Sequence, residues 1–453
     1  MTTNVYDQLK KIDTGKKVLI VGLGLLGGGV GLAKFFSELG AFVTVTDKKN
    51  EKQLSSALEQ LQSLPIKYYL GGHPQEIFLD TDLILKGPFV PWDLSQIVAA
   101  EKKGIPIEME LSFFAQHCPA RIIGITGTRG KSTTTMMIYQ LLKDSRLPVH
   151  LGGSLPYIST INLLKNLNKD RWVVLELSSW ALSDFHRKKI SPHIAVFTNF
   201  YPDHLNYYKT MDDYLYDKKA IYLYQKSEDY LVANKNLKTI IEKDKPKNKT
   251  IYFQPQDLLV KLVHPKGVHN LENAAAALAV GKVLGIDPVH CFKSLKSFKG
   301  LPFRQQVVGR KNNIIFINDT TSTTPVATQT ALKVFAGKNI VLILGGNTKN
   351  LPSETLIKHL IKVKKIVLLA GSFTDEILPI LKRKYPEKIT EVYDDLEKAV
   401  TKAYQLAKDF KPSDSEGKDE TYILFSPGAT SFVMFNNEFH RGEEFNKIIS
   451  RLL

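Results

Sequence analysis

The sequence predicts an α/β protein of three successive domains, each built on a largely parallel sheet. Three features point there. Apolar runs of strand length recur along the chain, and several end in glycine, as buried parallel strands do when their carboxyl ends face a ligand. Two of these runs pass straight into glycine-rich turns followed by helix-like segments. The chain has 453 residues, more than one hydrophobic core can organise. The boundaries fall near residues 110 and 300, giving segments 1–110, 111–300 and 301–453.

In the first segment Lys17-Val-Leu-Ile-Val21 reads as a buried strand, and Gly22-Leu23-Gly24-Leu25-Leu26-Gly27 follows at once. Val43-Thr-Val-Thr-Asp47 is the next strand and ends in an acid 20 residues after Gly27. This is the dinucleotide-type arrangement, which seats a pyrophosphate at a helix N-terminus. Alone, it speaks more for a pyrophosphate-bearing ligand than for a nicotinamide cofactor. Further strands are expected at residues 81–85 and near 105–108.

The second segment opens with the strand Arg121-Ile-Ile and the loop Gly124-Ile-Thr-Gly127-Thr128-Arg129-Gly130-Lys131-Ser132-Thr133, then a helix over 136–142. Strand, glycine loop, lysine, hydroxyl, helix is the order a phosphate cradle needs. Loop N–H groups turn toward phosphate oxygens, the helix adds its positive end, Lys131 reaches the terminal phosphates and Ser132 can hold Mg²⁺. Ile125 stands where the strict spacing has glycine, so the loop is a shortened variant. Later strands are expected at 172–176 and 194–199, a loop leading into a helix over 201–224, and an alanine-rich helix over 271–284. After Gly300-Leu-Pro302 the third segment offers four strands, within 314–319, 339–346, 365–371 and 421–428. Residues 409–420 read as a charged connector.

Composition narrows the function. Hydrophobic residues make up 43% and charged residues 23%, ordinary for a globular chain. No apolar run approaches the roughly 20 residues that span a bilayer, and residues 1–8 lack the apolar core of a signal peptide. A cytoplasmic protein that acts without a membrane is expected. Cys118 and Cys291 are too few for a disulfide framework and read as reduced thiols. The net charge is +16, but the lysines are scattered and no nucleic-acid-binding motif is present. Small phosphate-bearing molecules are the expected partners, not nucleic acid.

Four further groups can carry chemistry. Glu176-Leu-Ser-Ser-Trp180 puts a carboxylate at a strand end, where it can hold Mg²⁺ near phosphates or remain a surface acid. Asn199-Phe-Tyr-Pro-Asp203-His204-Leu-Asn206 places polar groups at the same sheet edge, with Asp203 and His204 as a possible ligand pair or a structural one. Asn270 and Asn273 lie one helical turn apart and can bind a nucleotide, while Asn270 can equally cap the helix. Asn318-Asp319-Thr320-Thr321-Ser322-Thr323 and Leu344-Gly345-Gly346-Asn347-Thr348-Lys349 suit ribose and small-carboxylate recognition, or are turns.

Taken together and in order, Gly-Thr-x-Gly-Lys-Ser-Thr at 127–133, Glu-Leu-Ser-Ser at 176–179, Asp-His at 203–204 and His-Asn-x-x-Asn at 269–273 resemble the Mur ligase family. The resemblance covers essentially the whole chain and is strongest toward the D-glutamate-adding branch. It implies a Rossmann-like N-terminal domain for UDP, a central P-loop domain for ATP and a Rossmann-like C-terminal domain for the amino acid. The substrates would be UDP-linked muramoyl-L-alanine and D-glutamate, joined through an acyl phosphate in cytoplasmic peptidoglycan precursor synthesis by a monomer.

The resemblance also implies roles. Gly22, Leu23, Gly24, Leu25, Leu26, Asp47, Lys48, Lys49 and Ser154 would bind the UDP substrate. Gly127, Thr128, Gly130, Lys131, Ser132, Thr133, Asn273, Arg304 and Asp319 would bind ATP. Ser132 and Glu176 would hold one Mg²⁺, and His204 with a carbamylated Lys218 a second. His204, Thr323, Lys349 and Ser431 would meet the amino acid. Lys131, Glu176, His204 and Lys218 would be catalytic. The chain departs from the family at Arg129 (Asn), Phe303 (His), Thr321 (Lys), Ser154 within Gly153-Ser154-Leu155-Pro156 (Gly-Asn-Ile-Gly), and Glu438 (an aromatic). Rival expectations are a sibling ligase for another amino acid or a folylpolyglutamate-like product, a nucleotide-gated ATPase, and an NAD-dependent oxidoreductase.

Overall fold

The computed structural model describes residues 4–23, 28–155, 159–204, 207–257, 268–410, 420–431 and 434–453. It contains three sheets. The first runs β3-β2-β1-β4-β5, from β1 (Lys17–Val21), β2 (Phe42–Asp47), β3 (Lys67–Leu70), β4 (Leu83–Lys86) and β5 (Ile107–Glu108). The second runs β11-β10-β9-β6-β8-β7, from β6 (Arg121–Thr126), β7 (Val149–Gly153), β8 (Trp172–Glu176), β9 (Ile194–Phe197), β10 (Tyr230–Asn234) and β11 (Lys249–Phe253). Every pairing in these two sheets is parallel.

The third sheet runs β12-β13-β17-β14-β15-β16, from β12 (Gln306–Lys311), β13 (Ile314–Asn318), β14 (Asn339–Gly345), β15 (Lys365–Leu369), β16 (Ile389–Tyr393) and β17 (Thr421–Phe425). Only β12 is antiparallel to its neighbour. It has six strands where four are legible in the sequence. The additional β12 and β16 are edge strands with mixed exposure, so they lack the continuous apolar run that marks β13 or β14.

The chain divides into two compact units. One holds the first two sheets and ends at Phe298; the other runs from Lys299 to Leu453 and holds the third. Within the first unit, one apolar cluster extends from Val18 and Ile20 of β1 through Phe35, Phe36 and Phe113 to Leu175, Phe197 and Leu231. The second unit packs the two faces of its sheet separately, with Leu342 and Leu368 on one side and Val341 and Phe445 on the other. No helix among the described residues is long and apolar enough to cross a membrane.

Parallel order puts the carboxyl ends of each sheet's central strands along one edge. In the first sheet the strand order reverses at β1, and in the second at β6, so both glycine loops open at reversal points. One expectation is corrected here: Asn270 lies inside the helix Val268–Val283 and is not its cap. The loop leading into a helix over 201–224 becomes the helix Met211–Lys219, and Lys218 lies in its last turn.

Besides the apolar cluster they share, a buried carboxylate ties elements of the first two sheets together. Asp184, fully buried on the helix Ser179–Lys188, accepts hydrogen bonds from Met109 N (2.7 Å) and from the Ser112 hydroxyl. Burial pushes its carboxyl up to about 6. Its folded value therefore lies above its unfolded value of 3.8. Between these values the folded chain keeps a proton that the unfolded chain releases, so stability falls as pH rises through that window. Asp184→Asn removes this dependence. The melting temperature of the variant relative to wild type should climb between pH 4 and pH 7, by the equivalent of about 2 kcal/mol; a constant difference would reject the assignment.

Candidate active site

The phosphate loop leaves β6 at Thr126 and enters the helix Lys131–Asp144 through Gly130, whose φ of 79° is the left-handed conformation. A Cβ at Gly130 would collide with Asn273 Oδ1, and one at Gly127 with Thr198 Oγ1. Both glycines are therefore demanded by close approach as well as by backbone geometry. The end of β9 shapes the loop from the other side. Asn199 accepts from Thr128 N (3.0 Å) through its carbonyl and from Arg129 N (2.9 Å) through Oδ1, and its amide donates to Arg129 O (3.1 Å). Thr198 Oγ1 also donates to Arg129 O (2.8 Å). Asn199, read from sequence as one of several polar groups at the sheet edge, holds the loop's form.

Two lysines converge on one carbonyl. Lys131 Nζ donates to Gly127 O (3.1 Å) and Thr128 O (3.2 Å), and Lys218 Nζ donates to the same Gly127 O (2.8 Å). Lys218 is only 1% exposed. Burial, then the charge of Lys131, hold its amine well below the usual lysine range. Its Nζ also sits 4.8 Å from the ring centroid of Tyr214.

Beside them, at the end of β8, Glu176 is buried and its Oε2 has no hydrogen-bond partner among the described residues. Glu176 O accepts from Ser154 N (2.7 Å), and Ser154 Oγ accepts from Ser178 N (3.3 Å), so Ser154 lies at the same strand-end edge. His204 adopts a left-handed φ of 56° with its ring between Trp180 (4.7 Å) and Tyr214 (5.6 Å). Burial lowers its pKa, with Lys131 and Lys218 acting in the same direction against Asp203. The imidazole is therefore neutral at pH 7, the form that coordinates a metal.

A pairing not foreseen from sequence supports Lys218. Tyr208 donates to Asp217 Oδ2 (2.9 Å), and burial pushes Asp217 up to about 6. Thr134 Oγ1 donates to Asn273 Oδ1 (3.2 Å), which anchors the Asn273 side chain at the start of the loop helix. Ser132 and Thr133 occupy the first turn of that helix.

At the first sheet, Asp47 Oδ2 accepts from Leu23 N (2.9 Å) and Oδ1 from Lys49 N (2.9 Å), so this acid shapes the turn after β1 and orders residues 47–49. Gly22 hydrogen-bonds Thr46 O through its N–H (2.8 Å). Lys48 is exposed. Gly24, Leu25 and Leu26 lie outside the described residues, as do Gly27, Pro156, Asn206 and most of the connector at 409–420.

In the second unit, Asp319 is buried at the end of β13 and accepts from Ser322 Oγ (2.6 Å), Ser426 Oγ (2.7 Å) and Gln305 N (3.1 Å). Burial pushes it up to about 6, with Arg304 among the groups that oppose the rise. Lys349 Nζ donates to Thr323 Oγ1 (3.0 Å). Ser431 Oγ is buried without a partner among the described residues and lines a pocket of about 10 Å³ with Gly346, Asn347 and Arg441.

Arg441 was not singled out from the sequence. It is 1% exposed and donates to Thr320 Oγ1 (2.9 Å), Thr320 O (2.9 Å) and Ala429 O (3.2 Å). It thereby ties the loop after β13 to the loop after β17. A basic residue in a polar helix gives no sequence signal of burial; only the packing reveals it.

Among the described residues no group of three or more His, Cys, Asp or Glu forms a ready metal cage. The donors at hand are instead one buried carboxylate oxygen unpaired among the described residues, a hydroxyl at a helix start, an imidazole whose pKa is lowered and a buried amine held well below the usual lysine range. An orphaned carboxylate oxygen beside a phosphate loop fits a hard divalent cation that also takes oxygens from a nucleotide.

Known proteins agree with this frame. The family model of the Mur ligase middle domain matches residues 125–260, and that of the MurD-like Mur ligase N-terminal domain matches residues 16–108. The chain belongs to the Mur ligase family. Among its relatives, the UDP-N-acetylmuramoylalanine–D-glutamate ligase of Roseiflexus sp. is 33% identical, covering 96% of this chain and 98% of that one. The enzyme of the same name from Acetivibrio thermocellus is 33% identical across 100% of both chains. Among solved structures, UDP-N-acetylmuramate–alanine ligase of Thermotoga maritima superposes with a TM-score of 0.61 at 21% identity, covering 97% of this chain and 100% of that one. MurF from Acinetobacter baumannii gives 0.59 at 16% identity, covering 99% and 97%.

Lys131→Ala should fold with a near-normal melting temperature, because Lys131 is only half-buried and its Nζ donates to carbonyls of its own loop. It should lose ATP-dependent turnover by at least about 100-fold, the loss of one desolvated charge on a transferring phosphoryl group. Near-normal turnover in the folded variant would sink the phosphate-loop assignment.

Proposed function

We propose that this chain joins D-glutamate to UDP-N-acetylmuramoyl-L-alanine with ATP, forming ADP and phosphate, as a monomer in the cytoplasm. The observation that carries the reading is the convergence of Lys131 and Lys218 on Gly127 O beside the unpaired Glu176 carboxylate, in a chain that aligns end to end with D-glutamate ligases. Residues 1–110 would take the UDP moiety, 111–300 the ATP and 301–453 the amino acid.

The γ-phosphoryl group of ATP passes to a carboxylate oxygen of the L-alanine unit, and ADP leaves. The amine of D-glutamate then attacks the acyl carbon; the bond to phosphate breaks and the amine sheds its proton. Both steps bring anions together, so cations must cancel charge. Lys131, with the N–H groups of residues 127–133, does so for the terminal phosphates. Gly22, Leu23, Asp47, Lys48, Lys49 and Ser154 hold the UDP substrate. Asn273, Arg304 and Asp319 hold ATP. Lys349 and Thr323 pair with a substrate carboxylate, and the unpartnered Ser431 hydroxyl donates to the other.

Ser132, Glu176 and His204 are the residues that would hold magnesium, as two ions. Magnesium supplies charge neutralisation at the phosphate oxygens. Lys218 completes the set as a carbamate: its neutral amine adds to CO₂, an N–C bond forms and a proton leaves. The product is an anionic oxygen donor in place of a cation that would repel the metal.

The test is phosphate release with UDP-N-acetylmuramoyl-L-alanine and a panel of D- and L-amino acids. D-glutamate alone should support stoichiometric release. Release with another amino acid would favour a sibling ligase, and release independent of any amino acid an ATPase. For the carbamate, Lys218→Ala should be nearly inactive and regain part of its activity with added acetate, while Lys219→Ala stays active. Full activity of Lys218→Ala without a carboxylate would rule the carbamate out.

A further inference from the structure

An exposed aromatic ring lies between the two glycine loops of the first unit. Phe89, in the turn after β4, is 74% exposed. It packs edge-on against Trp180 with ring centroids 5.1 Å apart, and Trp180 in turn lies 4.7 Å from the His204 ring. On its other side the turn abuts the β1 loop. Gly87 N donates to Val21 O (2.8 Å), and a Cβ on Gly22 would stand 3.5 Å from Val90 Cγ2.

The exposure is not that of a loose loop. Lys86 Nζ, buried at the end of β4, donates to Val90 O (2.7 Å) and closes the turn around Phe89. Trp92 is held by both neighbouring cations, Lys86 at 4.1 Å and Arg187 at 4.2 Å from its ring, and its Nε1 donates to Ser183 Oγ (3.0 Å). Residues on both sides of Phe89 are thus pinned while its ring is displayed. A rigid, solvent-facing aromatic ring invites a ligand.

We propose that Phe89, backed by Trp180, is the platform on which the hexopyranose ring of the UDP-linked substrate lies, and so helps set specificity for a sugar nucleotide. This rests on the proposed ligase reading. A ligand whose diphosphate sits at the β1 loop and whose carboxylate must reach Lys131 and His204 has to cross the ground between them. In a UDP-muramoyl-alanine the part that makes this crossing is the sugar. The C–H face of a pyranose is apolar and faintly positive, and an aromatic face is negative, so the two stack.

The experiment is equilibrium binding to the full chain, with UDP and with UDP-N-acetylmuramoyl-L-alanine titrated separately into wild type, Phe89→Ala and Phe89→Tyr. Phe89 is exposed, so both variants should fold, and equal melting temperatures check this. Phe89→Ala should raise the Kd of the muramoyl-alanine ligand about 5- to 30-fold, a loss of about 1–2 kcal/mol, and leave that of UDP within about twofold. Phe89→Tyr should bind both like wild type. Equal weakening of UDP would mean that Phe89 only shapes the β1 loop, and an unchanged Kd for both ligands would mean that no sugar lies there; either overturns the platform. Failure of wild type itself to bind the muramoyl-alanine ligand would instead sink the ligase reading.

Discussion

One carbonyl oxygen organises the catalytic edge of this protein. Gly127 O accepts from Lys131 Nζ and from Lys218 Nζ at once. Two ammonium groups near one acceptor repel each other in a buried setting, which disfavours the charged form of the more buried one. That one is Lys218: burial and then the charge of Lys131 hold its amine well below the usual lysine range, while its neighbouring acid Asp217 is pushed up by burial and engaged by Tyr208. Lys131 is only half-buried, at the start of the loop helix. Two residues of the same type thus sit in different environments on one carbonyl.

The loop that carries this carbonyl is held in shape from outside. Asn199 and Thr198 bind it at four points from β9, and Asn273 closes on it from the helix Val268–Val283. Preorganisation of this kind matters because a cradle that had to reorganise during phosphoryl transfer would forfeit much of its electrostatic advantage. The second unit uses the same device with a different residue. Arg441 spends its guanidinium on backbone and hydroxyl oxygens of the loops after β13 and β17, which bear Asp319, Thr323 and Ser431. A buried guanidinium whose bonds among the described residues go to neutral oxygens retains its field, and that field falls on Lys349 and on the pocket lined by Ser431.

The sequence was most legible where chemistry and topology coincide. Buried parallel strands such as β1, β8, β13 and β14 are continuous apolar runs, and the Gly127–Lys131 loop follows one of them. Edge strands were opaque: β3, β12 and β16 are half-exposed and mix charges with apolar residues, so no period-two or continuous pattern stands out. Among candidate site residues, the position of Glu176 as the last residue of β8 was readable, because the end of a buried parallel strand faces the sheet's carboxyl edge. Arg441 and Phe89 were not. A buried arginine and an exposed phenylalanine each contradict the ordinary burial of their type, and only tertiary packing explains them.

The departures from the family pattern sharpen this point. In the loop after β13, Thr321 stands where the family has lysine, and its hydroxyl is spent locally on Phe303 O (2.8 Å) while Phe303 itself adopts a left-handed φ of 65°. A position that elsewhere carries a cation is here part of a turn. In this unit Lys349 bonds Thr323 and the buried Arg441 lines the pocket with Ser431, with Glu438 close enough to act on both. An acid there partly cancels their field and works on the Lys349 amine against burial, which lowers it. Glu438 therefore brings charge to a position where the family carries an aromatic ring.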